Sequence, residues 1–512
     1  MVCATMVMLG LLAPLSLAQA APGASEIRDA LEDNARPLES AGIKLDRDML
    51  TVAYRARDFE PVWGSQKLAD DLEAALEAAG RDGLDPETFD LTMMKSALAA
   101  SSLTPVDREL LLSDRFLAYA QVLAQGRVPP SAIEDDWLLP RPNFEPAAAL
   151  GNLATSGDVS AVLAALAPSA PDYDRLRQAL QHYELLAAAG GWQPIVTDKK
   201  IEPGEKGELV KALRARLAME GELDPAEARG DTYDPGAVAA MKRFQIRHGL
   251  DPDGRVGVGT LAALNVSAAD RVQQIKLALE RWREMPHTFP ASRIQVNAAS
   301  AVLTLYRDGE PELTSRVVVG DVEHPTPVLS ARIVSALFNP PWNVPASITK
   351  KEIAPKLKQD PDYLARNHYV YVGSRLQQTP GPWNALGGVK FELPNPLDVY
   401  LHDTPAKPLF AKAARAASHG CVRVQQARSL ASDLLGESWP AEAVDQAIKD
   451  GETKRVYLKT TMPVYLLYLT AFVDDDGTVE FRDDIYGRDQ HLAEALADRD
   501  IRRRIATARN TG

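Results

Sequence analysis

The pattern of apolar and polar positions changes character along the chain. From residue 24 to about 195 it has a helical period. Leu, Ala and Val recur at three-and-four spacing, with polar residues between, in Ser65 to Gly80, Val106 to Gly126 and Asp174 to Ala189. Stretches such as Val128-Pro129-Pro130 and Leu139-Pro140-Arg141-Pro142 interrupt the helices. A second unit, residues 201–266, sets Leu209, Val210, Leu213 and Leu217 on one predicted helix. Val238, Met241 and Phe244 stripe another, from Ala237 to His248. A turn-rich link, Gly249-Leu250-Asp251-Pro252-Asp253-Gly254, leads to a third, Val258 to Asn265. Gly249 and Gly254 suit helix termination and tight turns, where positive φ is costly for other residues.

From Arg293 onward the period shortens to that of strands. Ile294 to Asn297, Ala301 to Tyr306 and Ser315 to Gly320 are β-branched runs bounded by Asp-Gly or Gly. Further runs follow at Ile333 to Ala336, Val389 to Phe391, Val399 to Leu401 and Val464 to Phe472. The expected fold class is therefore α+β and multidomain: a helical domain over 24–195, a three-helix module over 201–266, and a mostly β domain over 293–487. The module reads as compact and separable. An insertion over 340–386, with helix-like Ile348 to Leu357, interrupts the β domain as a lid or binding loop would.

Length and composition are those of a globular protein, since 512 residues with 46% hydrophobic content supply buried cores for about three domains. The net charge of -13 argues against nucleic acid as a partner. Ala4 to Ala20 is uncharged and closes on Ala18-Gln19-Ala20, the small-residue pattern that precedes signal-peptidase cleavage. Residues 1–20 are thus expected to be a signal peptide. Because Met1-Val2-Cys3 carries no Lys or Arg, an uncleaved leader that tethers the protein to the inner membrane is the alternative. No later stretch reaches the roughly 18 to 20 apolar residues of a spanning helix.

With Cys3 in the leader, Cys421 is the single cysteine of the mature chain. An unpaired thiol in an exported protein is either buried and inert or reactive. Its setting is Ser418-His419-Gly420-Cys421-Val422-Arg423, downstream of Val399-Tyr400-Leu401-His402-Asp403-Thr404. On a strand, Tyr400, His402 and Thr404 share one face, and Leu401 and Asp403 the other. A thiol needs an imidazole within hydrogen-bond reach to take its proton and return one to a leaving amine. Gln425 to Leu435 reads as an amphipathic helix, and a thiol near a helix N-terminus and an imidazolium has its thiolate favoured. Gly420 lets the backbone approach closely, so that the Gly420 and Cys421 amides are candidate oxyanion donors. Trp63, Trp137 and Trp192 are either a glycan groove or, more commonly for isolated Trp in helical domains, core anchors.

The joint pattern resembles the signature of the L,D-transpeptidase catalytic domain of YkuD type. Further matches are Val318-Val319-Gly320 with Pro325-Thr326-Pro327, Phe338-Asn339-Pro340-Pro341-Trp342, Pro380 to Gly387, and Asp484-Ile485-Tyr486-Gly487. Residues 201–266 resemble the three-helix peptidoglycan-binding module, and with the helical scaffold the chain is similar to the large YcbB-like branch of these enzymes. The resemblance implies Cys421 as nucleophile and His402 as general base. Ser418 and His419 would orient the site, and Gly420 with Cys421 would form the oxyanion hole. Arg423 is implied as a carboxylate clamp or a structural ion pair, with Trp342, Asn384 and Tyr400 lining the cleft. It further implies 3→3 cross-linking of tetrapeptide stems without a cofactor or metal, in the periplasm of a Gram-negative-type envelope. Stem peptides, glycan and other wall-synthesis enzymes are the implied partners. The alternatives are a zinc peptidase using His402, His419, Cys421 and Asp403, and a non-catalytic wall-binding protein.

Overall fold

The computed structural model describes residues 21–35, 37–100, 102–474 and 476–498; the expected leader, 1–20, lies outside the described residues. The chain divides into two compact units. One holds the described residues up to Gly80, with Leu84–Ala124 and Asn143–Ala167. The other holds Arg81–Gly83, Gln125–Pro142 and the described residues from Pro168 onward. The helix Pro171–Ala188 and the strap Gln125–Pro142 belong to the second unit.

The first unit is helical around one core that includes Leu50, Leu72, Leu111, Phe116 and Leu150. Trp63 is buried there, with its indole N–H on the Ser113 hydroxyl at 2.8 Å. Trp137 and Trp192 are also buried, so all three are core anchors. Among the described residues, no helix is long and apolar enough to cross a membrane.

In the second unit, the helices Glu208–Met219, Pro235–Arg247 and Val258–Asn265 enclose a core of Val210, Leu213, Leu217, Met241 and Phe244. Leu209, expected on that stripe, is exposed. Helix Ala268–Glu284 then leads to nine strands, labelled in chain order: β1 Arg293–Asn297, β2 Val302–Arg307, β3 Glu310–Gly320, β4 Leu329–Phe338, β5 Val389–Glu392, β6 Leu401–His402, β7 Ala416–Ser418, β8 Val422–Val424 and β9 Lys454–Leu467. Their order is β7-β3-β8-β6-β5-β4-β9-β1-β2, and a further β2–β3 pairing closes the sheet on itself. Alternation buries Ile294 and Val296, Leu303 and Leu305, and Val464 and Leu466 on one side.

Three local expectations are corrected. The run Val399 to Thr404 contributes only Leu401–His402 as strand. Val464 to Phe472 divides between β9 and a separate strand, Ala471–Val473. Cys421 does not open a helix, because β8 follows it and the helix begins at Ala427. The insertion holds a helical stretch, Ala346–Gln359, with a π-turn at Thr349–Ile353, and a three-stranded sheet of Trp342–Asn343, Arg375–Gln378 and Tyr369–Val372. Val344, Ile348, Ile353 and Leu376 give it a small core of its own.

Candidate active site

Two-residue β6 is held on both sides, antiparallel to β5 and parallel to β8. His402 lies opposite Lys390 on one flank and Arg423 on the other. Laddered partners project to the same side, as do positions two apart, so Lys390, Tyr400, His402, Cys421 and Arg423 share one face. The contacts agree. The Tyr400 side chain interacts with the Cys421 thiol, the Tyr400 and His402 ring centroids are 5.6 Å apart, and Lys390 Nζ is 3.8 Å from the Tyr400 ring centroid.

His402 is buried, with Nδ1 2.5 Å from the Asp403 carbonyl oxygen. A carbonyl only accepts, so the proton sits on Nδ1 and Nε2 carries the lone pair. Burial, and then the Arg423 charge, push the His402 pKa down to about 3, which keeps the ring neutral at neutral pH. The Asp403 carboxylate is engaged elsewhere, by the Gly388 N–H at 3.0 Å and Lys407 Nζ at 2.5 Å.

Burial raises the Cys421 thiol above its ordinary value, against the opposing pull of Tyr400 through its backbone and side-chain donors, and of Lys390 and Arg423 through charge. Desolvation wins. The resting pair is thus neutral thiol and neutral imidazole rather than the expected thiolate beside an imidazolium, because β8 separates the thiol from the helix terminus and both groups are desolvated. Burial also raises the Tyr400 hydroxyl, which therefore keeps its proton.

The loop before the thiol is braced by side chains. Ser418 donates its hydroxyl to the Cys421 carbonyl at 2.6 Å, while the Asp321 N–H donates to the Ser418 carbonyl at 2.8 Å. Gly420 has φ +97, a conformation that a side chain would strain. The buried Thr326 hydroxyl takes the Gly320 N–H at 2.9 Å and donates to the Gly420 carbonyl at 2.9 Å. Sequence reasoning included Thr326 in a matched motif without giving it a role. His419 faces the insertion: its Nε2 lies 2.6 Å from Glu352 in the π-turn.

The residues expected to line the cleft divide. Trp342, from the insertion, interacts with the Tyr400 side chain. Asn384 is fully buried and spends its amide N–H groups on the carbonyls of Pro340, Gln378 and Thr379 at 3.0 to 3.2 Å, so it braces the base of the insertion. Lys390 and Glu352 were not anticipated. Only the sheet register and the fold of the insertion bring them in, and neither is written in local sequence.

Families match in three places along this chain: a scaffold domain over residues 48–180, a "Putative peptidoglycan binding domain" over 206–264, and an L,D-transpeptidase catalytic domain over 291–458. The chain carries a YkuD-type L,D-transpeptidase catalytic domain. A curated Haemophilus influenzae protein, described as "Putative L,D-transpeptidase", is 33% identical over 242 residues, which cover 43% of this chain and 49% of that protein. The chain thus spans about half the length of the curated relative it matches. Among solved structures, L,D-transpeptidase 3 from Mycobacterium tuberculosis with a faropenem-derived adduct is 16% identical at TM-score 0.20, covering 35% of this chain and 60% of its own. An L,D-transpeptidase from Xylanimonas cellulosilytica is 18% identical at TM-score 0.19, covering 54% and 100%. Superpositions this weak carry no argument about the site.

Proposed function

We propose that the protein is an exported L,D-transpeptidase that forms 3→3 peptidoglycan cross-links through a Cys421 thioester. The observation that carries the reading is the shared face, on which a thiol, a phenol donor and an imidazole with its proton fixed on Nδ1 stand together. In the first step, the thiol proton passes to His402 Nε2 as sulfur attacks the carbonyl carbon of the third stem residue. The tetrahedral oxyanion is taken by the Gly420 and Cys421 N–H groups, which donate to no backbone carbonyl among the described residues. The C–N bond to the terminal D-alanine breaks, and its nitrogen takes the proton from the imidazolium. An amine of a neighbouring stem then attacks the thioester, giving its proton to His402, and the thiol is restored.

Because both groups rest neutral, the thiolate forms within the reaction rather than before it. Tyr400 hydrogen-bonds the developing sulfur charge, and Ser418 and Thr326 hold the loop that carries the amides. Peptidoglycan stems as substrate, and a compartment outside the cytoplasm such as the periplasm, follow from this reading and from the adjoining peptidoglycan-binding domain. The test is intact mass spectrometry of the full chain with a synthetic tetrapeptide stem, with and without an acceptor amine. An acyl adduct on Cys421 with release of D-alanine is expected, and Cys421→Ala should give neither. Turnover by the alanine variant would refute the thiol mechanism.

A further inference from the structure

The shared face holds two cations with no carboxylate of their own. Lys390 and Arg423 flank His402 across the two ladders, and among the described residues neither makes a hydrogen bond or an ion pair with a carboxylate. Lys390 lies instead over the Tyr400 ring. The acids whose charge reaches Lys390 are Glu392 and Asp398. Glu392 is already held by two Arg455 nitrogens at 2.7 and 2.9 Å and by the Ser335 hydroxyl at 2.5 Å. Asp398 is exposed, and its carbonyl oxygen lies 4.0 Å from Cys421 Sγ; its carboxylate makes no ion pair with either cation among the described residues.

Both cations are partly buried, and burial lowers the pKa of each. Two desolvated positive charges on one face are unfavourable unless an anion arrives to offset them. A guanidinium fork beside an ammonium suits a carboxylate, the fork binding it in two bonds and the ammonium as a point charge. We propose that Lys390 and Arg423 form a carboxylate subsite beside the Cys421 thiol, and that it takes a carboxylate of the donor stem adjacent to the scissile amide.

This deepens the acyl-transfer reading and, for its substrate, rests on it. A tetrapeptide stem has two such carboxylates, one on the departing D-alanine and one on the side chain of a diamino diacid at the third position. The Arg423 charge disfavours the His402 imidazolium, so a bound carboxylate that offsets it couples donor binding to proton acceptance.

The first experiment is independent of transpeptidation. Alkylation of Cys421 in the full chain is compared for iodoacetate and iodoacetamide. The ratio of the two rates cancels any change in the thiol's own ionisation and reads the affinity of the face for a carboxylate. It should fall about tenfold in Lys390→Met and Arg423→Gln, the effect of one charge-assisted hydrogen bond, and hold in Lys390→Arg and Arg423→Lys. An unchanged ratio in folded neutral variants overturns the subsite. Should those variants misfold, competition in the wild-type protein decides: N-acetyl-D-alanine should slow iodoacetate and its methyl ester should not, and equal effects overturn the subsite.

The second arm compares the tetrapeptide with donors amidated either at the terminal D-alanine or at the third-residue side chain. One amidation should lower kcat/KM about tenfold in wild type and much less in the neutral variants, which identifies the carboxylate. Equal kcat/KM for all three donors overturns the assignment. If no donor reacts while the alkylation ratio behaves as expected, the acyl-transfer reading fails and the subsite stands.

Discussion

Thr326 is the residue on which the loop before the thiol depends. Its hydroxyl joins the Gly320 N–H to the Gly420 carbonyl, and its own carbonyl accepts from the buried Arg488 at 3.2 Å. Thr326→Val keeps the volume but leaves a buried N–H and a buried carbonyl unpaired, so it should cost about 1–3 kcal/mol and slow thioester formation more than it lowers stability. Thr326→Ser should restore both, as thermal unfolding and mass-detected acylation would show. Equal acylation by the valine variant would mean that the Gly420 peptide is fixed by other means. Tyr400→Phe removes a donor from the thiolate of an already elevated thiol, so the pH profile of Cys421 alkylation should move to higher pH. A shift to lower pH would reverse that assignment. At this scale the sequence is informative where chemistry is concentrated in a short motif, as in Ser418 to Arg423. It is silent on Lys390, since nothing beside that residue marks it among 57 Lys and Arg; the β5–β6 register places it, a pairing across twelve positions of chain.

Elements that depend on their neighbours are the ones that periodicity misses. β6, β7 and β8 have two or three residues each, too few for an alternation to register, and exist because their neighbours supply hydrogen bonds: β7 and β8 pair with long β3, and β6 is held between β5 and β8. Helix Ala268–Glu284, of which periodicity gives no reading, is the opposite case. Its last turns carry Glu280, Arg281, Arg283 and Glu284, which read as a solvated face, yet all four are buried. Arg283 pairs with Glu280 at 2.6 Å and Glu280 takes Arg127, whereas among the described residues neither Glu284 carboxylate oxygen has a hydrogen-bond partner. The contact is tight. A side chain at Gly126, φ +71, would stand 2.9 Å from both glutamates. Burial first, then the charge of Glu280, push Glu284 well above the usual carboxylate range. A raised carboxyl keeps its proton when the unfolded chain has lost it, so its contribution is most favourable below about pH 4.5 and declines as pH rises toward the folded-state value. Glu284→Gln removes that decline. It should raise stability at pH 7 by about 1–3 kcal/mol and leave it nearly unchanged at pH 4, as denaturant midpoints at the two pH values would measure. Destabilisation at pH 7 would mean that Glu284 is ionised and attractive to Arg281 and Arg141.

At the scale of the molecule, the segment 201–266 looked separable because its apolar stripes close a core of their own. Within the second unit, however, it is joined to the β domain through groups that no local pattern advertises. His248 is buried, stacked on Phe244 at 3.9 Å and facing Phe481 at 5.7 Å, and burial holds its pKa well below the ordinary value. Arg482 donates to the Arg247 carbonyl at 2.9 Å, and Asp251 takes the Ala413 N–H at 2.9 Å. Gly249 is required at this junction, since with φ +66 a Cβ there would meet the Arg482 side chain at 2.7 Å. The module thus contributes stability to the second unit. Phe481→Ala, which opens a cavity between His248, Tyr183 and Arg271, should cost about 3–5 kcal/mol although Phe481 lies outside the module. Deletion of 201–266 should expose the same ring and lower the midpoint of thermal unfolding, with loss of acylation following loss of fold. A deleted chain that unfolds at the parent temperature and still forms the thioester would establish that the junction is dispensable and that the module serves only to bind the wall.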